Sequence, residues 1–111
     1  MKPTIEYSDF EKLELRVGKV IEASVPEWSN KLLQFLVDFG EEIGTKTILS
    51  GVKQWYSPDD FLGKNFPFVI NLAERKMGES VSQGMMIMAD TEEQPTLFPL
   101  PLEIAPGTII R

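Results

Sequence analysis

Two stretches of this chain carry an apolar residue at every second position, although Leu36 means that the other face of the first is not purely polar. Between residues 33 and 39 the odd positions are Leu33, Phe35, Val37 and Phe39; between 66 and 72 the even positions are Phe66, Phe68, Ile70 and Leu72. Side chains along a β-strand point to opposite faces in turn, so a period of two buries one face and leaves the other freer. Strands are therefore predicted over residues 31–39 and from residue 66 onward. Residues 45–52 and 84–89 read as two more, the latter apolar on both faces (Met85, Met86, Ile87, Met88). Residues 14–25 read as a long first strand. Leu15 and Val17 share a face, but beyond Gly18 the apolar parity moves to Val20, and a glycine at a parity switch predicts a bulge or sharp bend.

Short helices punctuate these strands. Ser8 followed by Glu11 has the spacing of a capping box, which predicts a helix from Ser8 that ends near Leu13. Ser57-Pro58-Asp59-Asp60 is a second start, with Ser57 as cap, proline in the first turn and acids at the positive end of the dipole; Gly63 stops it early. The tail carries Pro95, Pro99, Pro101 and Pro106, and Pro106-Gly107 predicts a turn into a last short strand. A bent first strand that serves both sides of a small sheet, with a short helix between the third and fourth strands, points to an OB-fold. The expected architecture is mainly all-β: a five-stranded barrel with short helices and a C-terminal extension, one domain over residues 1–111.

Composition removes several functions. The chain has no cysteine and no histidine, so it lacks thiolate chemistry, the commonest metal ligand and the commonest base near neutral pH. No nucleophile–base pair is visible, so no catalytic residue, cofactor or metal is expected, and the protein reads as a non-enzyme. No apolar run is long enough to cross a membrane and no signal segment opens the chain, which makes the cytoplasm the expected location. Eleven basic residues against 17 acidic ones give a net charge of −6, unusual for a nucleic-acid binder. The acid gathers at the two ends and in one loop, however. The middle of the chain holds Arg16, Lys19, Lys31, Lys53, Lys64, Arg75 and Lys76, enough for a local positive face with weak, salt-sensitive binding.

Several fragments, in this order, then resemble one family. Leu13-Glu14-Leu15-Arg16-Val17-Gly18-Lys19-Val20 is similar to its opening strand, Ser29-Asn30-Lys31-Leu32 to its S-D-K-L turn, and Leu49-Ser50-Gly51-Val52 to its V-S-G-I strand end. Asn71-Leu72-Ala73-Glu74-Arg75-Lys76-Met77-Gly78 with Ser82-Gln83-Gly84-Met85 resembles N-L-x-P-R-K-x-x-G…S-x-G-M, and Pro106-Gly107 matches the closing turn. Over roughly residues 8–111 the chain resembles the stand-alone tRNA-binding domain family, which also includes appendages of methionyl-tRNA synthetases and an export chaperone.

That resemblance implies binding of structured RNA, tRNA above all, by shape and backbone contacts. The implied contacts are Lys31, Asn71, Arg75, Lys76, Ser82 and Met85. Lys31 would reach a phosphate as a mobile charge, against its plain reading as a strand-edge lysine that blocks aggregation. Arg75 and Lys76 would add a two-residue clamp on the same barrel face, Ser82 would bond a phosphate or ribose oxygen, and Met85 would pack on a base or ribose. Asn71 would orient the basic loop or cap a strand end. Trp55 and Tyr56 could stack bases, although packing over the first helix accounts for both.

Two positions depart from the family pattern. Ala73-Glu74 stands where relatives carry a residue followed by proline, which puts an acid beside the clamp, while Asn30 replaces an aspartate and removes a charge beside Lys31. The resemblance further implies a homodimer joined through terminal segments, here the apolar tail around residues 97–102, and a synthetase as a possible partner. The chaperone branch supplies the alternative, binding of unfolded or pre-export polypeptide, because Asp38-Phe39-Gly40-Glu41-Glu42-Ile43-Gly44 is closer to that branch.

Overall fold

The computed structural model describes residues 1–111. The strands are β1 (Leu15–Ser24), β2 (Leu33–Asp38), β3 (Thr45–Ser50), β4 (Asn65–Val69), β5 (Arg75–Met77), β6 (Ser80–Ser82), β7 (Met85–Met86), β8 (Met88–Asp90), β9 (Pro95–Leu97) and β10 (Ile109–Ile110). Helix α1 (Tyr7–Phe10), helix α2 (Gly40–Ile43) and a 3-10 turn at Pro58–Asp60 complete the chain. The main sheet runs β3-β2-β1-β4-β7, with β10 also on β1; β5–β6 and β8–β9 form separate two-stranded ribbons. All pairings are antiparallel.

The two edges of this sheet meet. Gln83 N donates to Thr47 O at 2.8 Å, Thr47 N donates to Gln83 Oε1 at 2.9 Å, and Leu49 N donates to Ser82 Oγ at 3.0 Å. These bonds join β3 to the segment entering β7 and close five strands into the expected OB-type barrel, removing two edges that would otherwise template aggregation. The interior holds Val20, Leu33, Phe35, Val37, Phe39, Ile48, Val52, Phe61, Phe66, Phe68 and Met86. Its rings pack with offset or edge contacts, Phe35 on Phe61 at 4.5 Å and Phe39 on Phe68 at 5.3 Å, the geometry that aromatic quadrupoles favour.

The alternation of β2 holds through Phe39. That of β4 holds at Phe66 and Phe68 but fails at Leu72, which is 43 % exposed because the strand ends at Val69. Gly18 is not the bulge. A Cβ there would lie within 2.9 Å of Val37, Phe39 and Phe68, so this glycine permits the interior rings to approach the backbone. The register shift comes later, between Val20 and Glu22, leaving Ile21 as the extra residue. The fifth strand is also broken in two. Ile87 N donates to Pro67 O at 2.9 Å, but proline has no N–H to return a bond, and beyond this point the chain pairs with β9 instead. Helix α1 begins at Tyr7 with Glu6 as N-cap, not at Ser8, because Asp9 reaches back to the Glu6 N–H at 3.1 Å. The second start stands as predicted, Asp60 accepting from Ser57 N at 2.8 Å.

The C-terminal extension is stitched to β1 and β4. Val17 turns its N–H and C=O outward, to Thr108 O at 2.9 Å and from Gly107 N at 2.7 Å, so the opposite residue in β4 needs no donor and is Pro67. Arg16 donates to Gly107 O at 2.9 Å and forms a two-pronged ion pair with Glu14 at 3.1 and 2.7 Å. Buried Asn65 donates to Pro101 O and Ile104 O, both at 3.0 Å.

Candidate nucleic-acid interface

Lys31 stands at the mouth of β2, after a turn in which Ser29 Oγ accepts the N–H groups of Lys31 and Leu32, both at 3.2 Å. Lys31 O in turn accepts from Lys53 N at 3.2 Å. The backbone is held on two sides while the side chain is exposed. It borders a depression of about 570 Å³ shared with Asn30, Gly51, Gln54 and Trp55. Gly51 also borders a second depression, of about 300 Å³, which contains Leu72, Arg75, Met77 and Met85. A side chain at Gly51 would enter open space, so the residue common to both depressions raises nothing between them.

Arg75 is carried by the β5–β6 ribbon. The ribbon turns at Gly78, whose φ of +62° suits glycine, and the Trp28 ring packs where a Gly78 side chain would stand. Ser80 Oγ donates to Gln34 Oε1 at 2.8 Å and ties the ribbon to β2. The register pairs Arg75 with Ser82 and Lys76 with Val81. Adjacent strand residues face opposite ways, so Arg75 points toward the depression and Lys76 points away from it. They do not form the expected two-residue clamp.

Met85 is 51 % exposed and lies beside Arg75, whereas Met86 is in the core, the division that strand alternation imposes. Ser82 is 5 % exposed. Its hydroxyl accepts from Leu49 N and donates to Gly84 O, each at 3.0 Å, so the serine expected at a phosphate closes the barrel instead. Asn71 is exposed but borders neither depression. Its Oδ1 accepts from Glu14 N at 2.8 Å and its Nδ2 donates to Lys12 O at 2.6 Å, which pins the segment after α1.

The chain's two ion pairs are Lys12–Asp9 at 3.3 Å and Arg16–Glu14 at 2.7 Å. Arg16 therefore leaves the set of cations available to a ligand, while Lys31, Arg75 and Lys76, like the remaining cations, have no ion-pair partner. Glu74 accepts from Gln83 Nε2 at 3.1 Å and does not neutralise Arg75. Tyr56 packs inward, its ring edge-on to Phe61 at 5.8 Å and its hydroxyl donating to Pro95 O at 2.6 Å. Its contacts are with the core and tail, not the first helix. Trp55 is 39 % exposed beside Lys31, so of the two aromatic residues it is the one left free to stack. No group of His, Cys, Asp and Glu could hold a metal ion, and no helix is long and apolar enough to cross a membrane.

Residues 15–109 match the model of the family described as "Putative tRNA binding domain". Over 112 aligned positions and the whole of this chain, it is 39 % identical to a methionine–tRNA ligase of Bacteroides fragilis, of which it spans 16 % of the length. The fold superposes on a MetRS related protein from Pyrococcus horikoshii with a TM-score of 0.92, at 33 % identity, covering 99 % of this chain and 100 % of that one. It also superposes on the CsaA chaperone protein of Picrophilus torridus with a TM-score of 0.87, at 27 % identity, covering 97 % and 100 %. The chain belongs to the tRNA-binding domain family.

Proposed function

We propose that the protein binds tRNA through the surface that runs from Lys31 across Gly51 to Arg75 and Met85, by shape and backbone contacts and without catalysis. One observation carries the reading: in a member of this family, two cations without ion-pair partners stand at either end of an open surface on an otherwise acidic molecule. Lys31 and Arg75 take phosphates, Met85 packs against ribose or base, and Lys76 contributes its field from the far side of the ribbon. Ser82 supports the surface from behind, and Asn71 holds the segment after α1. The protein acts in the cytoplasm, with a synthetase as partner, in keeping with relatives in which such a domain is one part of a methionine–tRNA ligase.

The test is a titration of labelled tRNA against wild type, Lys31→Ala and Glu74→Lys at one fixed salt concentration. Wild type should bind folded tRNA better than a heat-denatured transcript, with a logarithmic salt slope of about −1.8 per protomer, about 0.9 for each of two phosphate contacts. Lys31→Ala should weaken binding and Glu74→Lys should strengthen it. Identical curves for all three would remove the surface from consideration.

A homodimer belongs to the same proposal. Tyr7, Phe10, Leu13 and Ile109 are exposed around a depression of about 270 Å³ between the two termini, and Phe98 and Leu102 are exposed in the tail; apolar residues grouped in this way suit a protein contact. Light scattering that returns only a 12.6 kDa species at micromolar concentration would refute it. The likeness to the CsaA chaperone supports a second reading, binding of unfolded polypeptide. Under that reading, suppression of client aggregation would be indifferent to Lys31→Ala and sensitive to changes at Leu72 and Met85.

A further inference from the structure

We infer that the depression beside Lys31 seats one unstacked nucleobase, with Trp55 as its stacking platform, the side-chain amides of Asn30 and Gln54 at its edge and Lys31 on its phosphate. The inference rests on the RNA reading above and adds to it. Shape and backbone contacts ask nothing of an aromatic ring, whereas this seat needs a nucleotide that is out of the helix.

The chemistry of the lining carries the argument. Of the five residues that border the depression only Trp55 is apolar. A peptide side chain seated here would find a single apolar wall. A nucleobase is a flat ring with a polar rim, and it matches one flat apolar wall surrounded by hydrogen-bonding groups. The amides of Asn30 and Gln54 and the indole N–H of Trp55 have no hydrogen-bond partner elsewhere in the chain, and Lys31 has no ion-pair partner. Tyr56 shows the contrast, since its ring and hydroxyl are both engaged.

The backbone that carries the platform is also held in place. Val52 O accepts the N–H groups of Trp55 and Tyr56, both at 3.0 Å, and Lys53 N ties this turn to Lys31 O at 3.2 Å. The backbones of the stacking residue and the cation therefore belong to one hydrogen-bonded unit, and little backbone freedom is lost when a ligand arrives. Gly51 leaves the far side open, so a strand seated on Trp55 continues toward Arg75.

The experiment uses the full chain labelled with 5-fluorotryptophan. Its two tryptophans give two fluorine resonances, and that of Trp55 is identified by its loss in Trp55→Phe. On titration with total deacylated tRNA the Trp55 resonance should shift. Trp55→Ala should bind tRNA about tenfold more weakly, with the salt slope unchanged because stacking releases no counterions, and Trp55→Phe should recover most of the loss. A fully paired RNA duplex should bind wild type and Trp55→Ala alike. If tRNA binds, Lys31→Ala weakens it, and yet the Trp55 resonance stays still and Trp55→Ala binds within twofold of wild type, the seat is refuted while the backbone reading survives. Absence of tRNA binding by wild type refutes both. Should Trp55→Ala fail to fold, the resonance shift and the Trp55→Phe affinity decide alone.

Discussion

The seam where the C-terminal turn meets β1 and the surface between Lys31 and Arg75 are built from similar polar residues put to opposite use. At the seam every group is engaged: Arg16 holds Glu14 and Gly107, Val17 bonds Gly107 and Thr108 through its backbone, and Asn71 bonds Lys12 and Glu14 through both ends of its amide. At the surface Lys31 and Arg75 are anchored through their backbones while their side chains, like those of Asn30 and Gln54, are free. Motif residues of one family thus divide into those that close the fold and those that are left over for a ligand. The side chain's own hydrogen bonds, not membership of a motif, make the division.

The strongest way to break the comparison is at the seam. Gly107 has a φ of +92° and faces the Phe39 carbonyl so closely that a Cβ has no room. Gly107→Ala should cost about 3 kcal/mol of stability, from left-handed strain and the displaced backbone together. Chemical denaturation measures this. A loss below about 0.5 kcal/mol, the range of an ordinary surface substitution, would show that the turn is not tightly docked.

Ser82 probes the border between the two regions, because it sits behind the surface yet belongs to the barrel closure. Ser82→Ala leaves the Leu49 N–H buried without its acceptor and should cost about 1–3 kcal/mol of stability. Affinity for tRNA, measured well below the unfolding temperature, should change little. Lost affinity with unchanged stability would return Ser82 to the ligand.

The strand pattern was legible because alternation is a property of the chain itself. Leu33, Phe35, Val37, Phe66 and Phe68 are all in the core, and the Ser57 cap is where its spacing put it. Most of the errors come from contacts that the local pattern does not show. Gly18 was readable as a bulge or as a close approach, and only the rings of Phe39 and Phe68 from distant strands decide between them. Ser82 and Asn71 can each donate and accept in either direction along the chain; their partners are 33 and 57 residues away. Arg75 and Lys76 read as a pair until a ribbon, rather than a loop, sets them on opposite faces. For Gly18, Ser82 and Asn71 the deciding partner is remote in sequence; for the basic pair it is the ribbon's own return strand, five to seven residues on.

A smaller effect is expected where the surface is bare. Gly51 joins the two depressions, has nothing within 4 Å of where a Cβ would stand and lies outside the left-handed region. Gly51→Glu should therefore leave stability within about 0.5 kcal/mol of wild type. It sets an acid between Lys31 and Arg75 and should weaken tRNA binding about tenfold, most steeply at low salt where charges are least screened. Unchanged binding would mean that the two depressions do not serve one ligand.

The finest comparison lies within two adjacent residues. Arg75 and Lys76 carry the same charge and are both exposed, but the ribbon register turns Arg75 to the depression and Lys76 away. Direct phosphate contact and long-range attraction differ in their salt signature. Removing a contacted cation lowers the logarithmic salt slope by about 0.9, the counterion release of one phosphate. Removing a distant cation lowers affinity slightly at low salt, and the loss fades once the Debye length falls to about 8 Å near physiological ionic strength. Arg75→Ala should flatten the slope by nearly one unit, while Lys76→Ala should change affinity less than threefold and leave the slope almost unaltered. Equal slopes for the two variants would mean that the ligand wraps around the ribbon and touches both faces, and the binding surface would then have to extend past β6 onto the side of Val81.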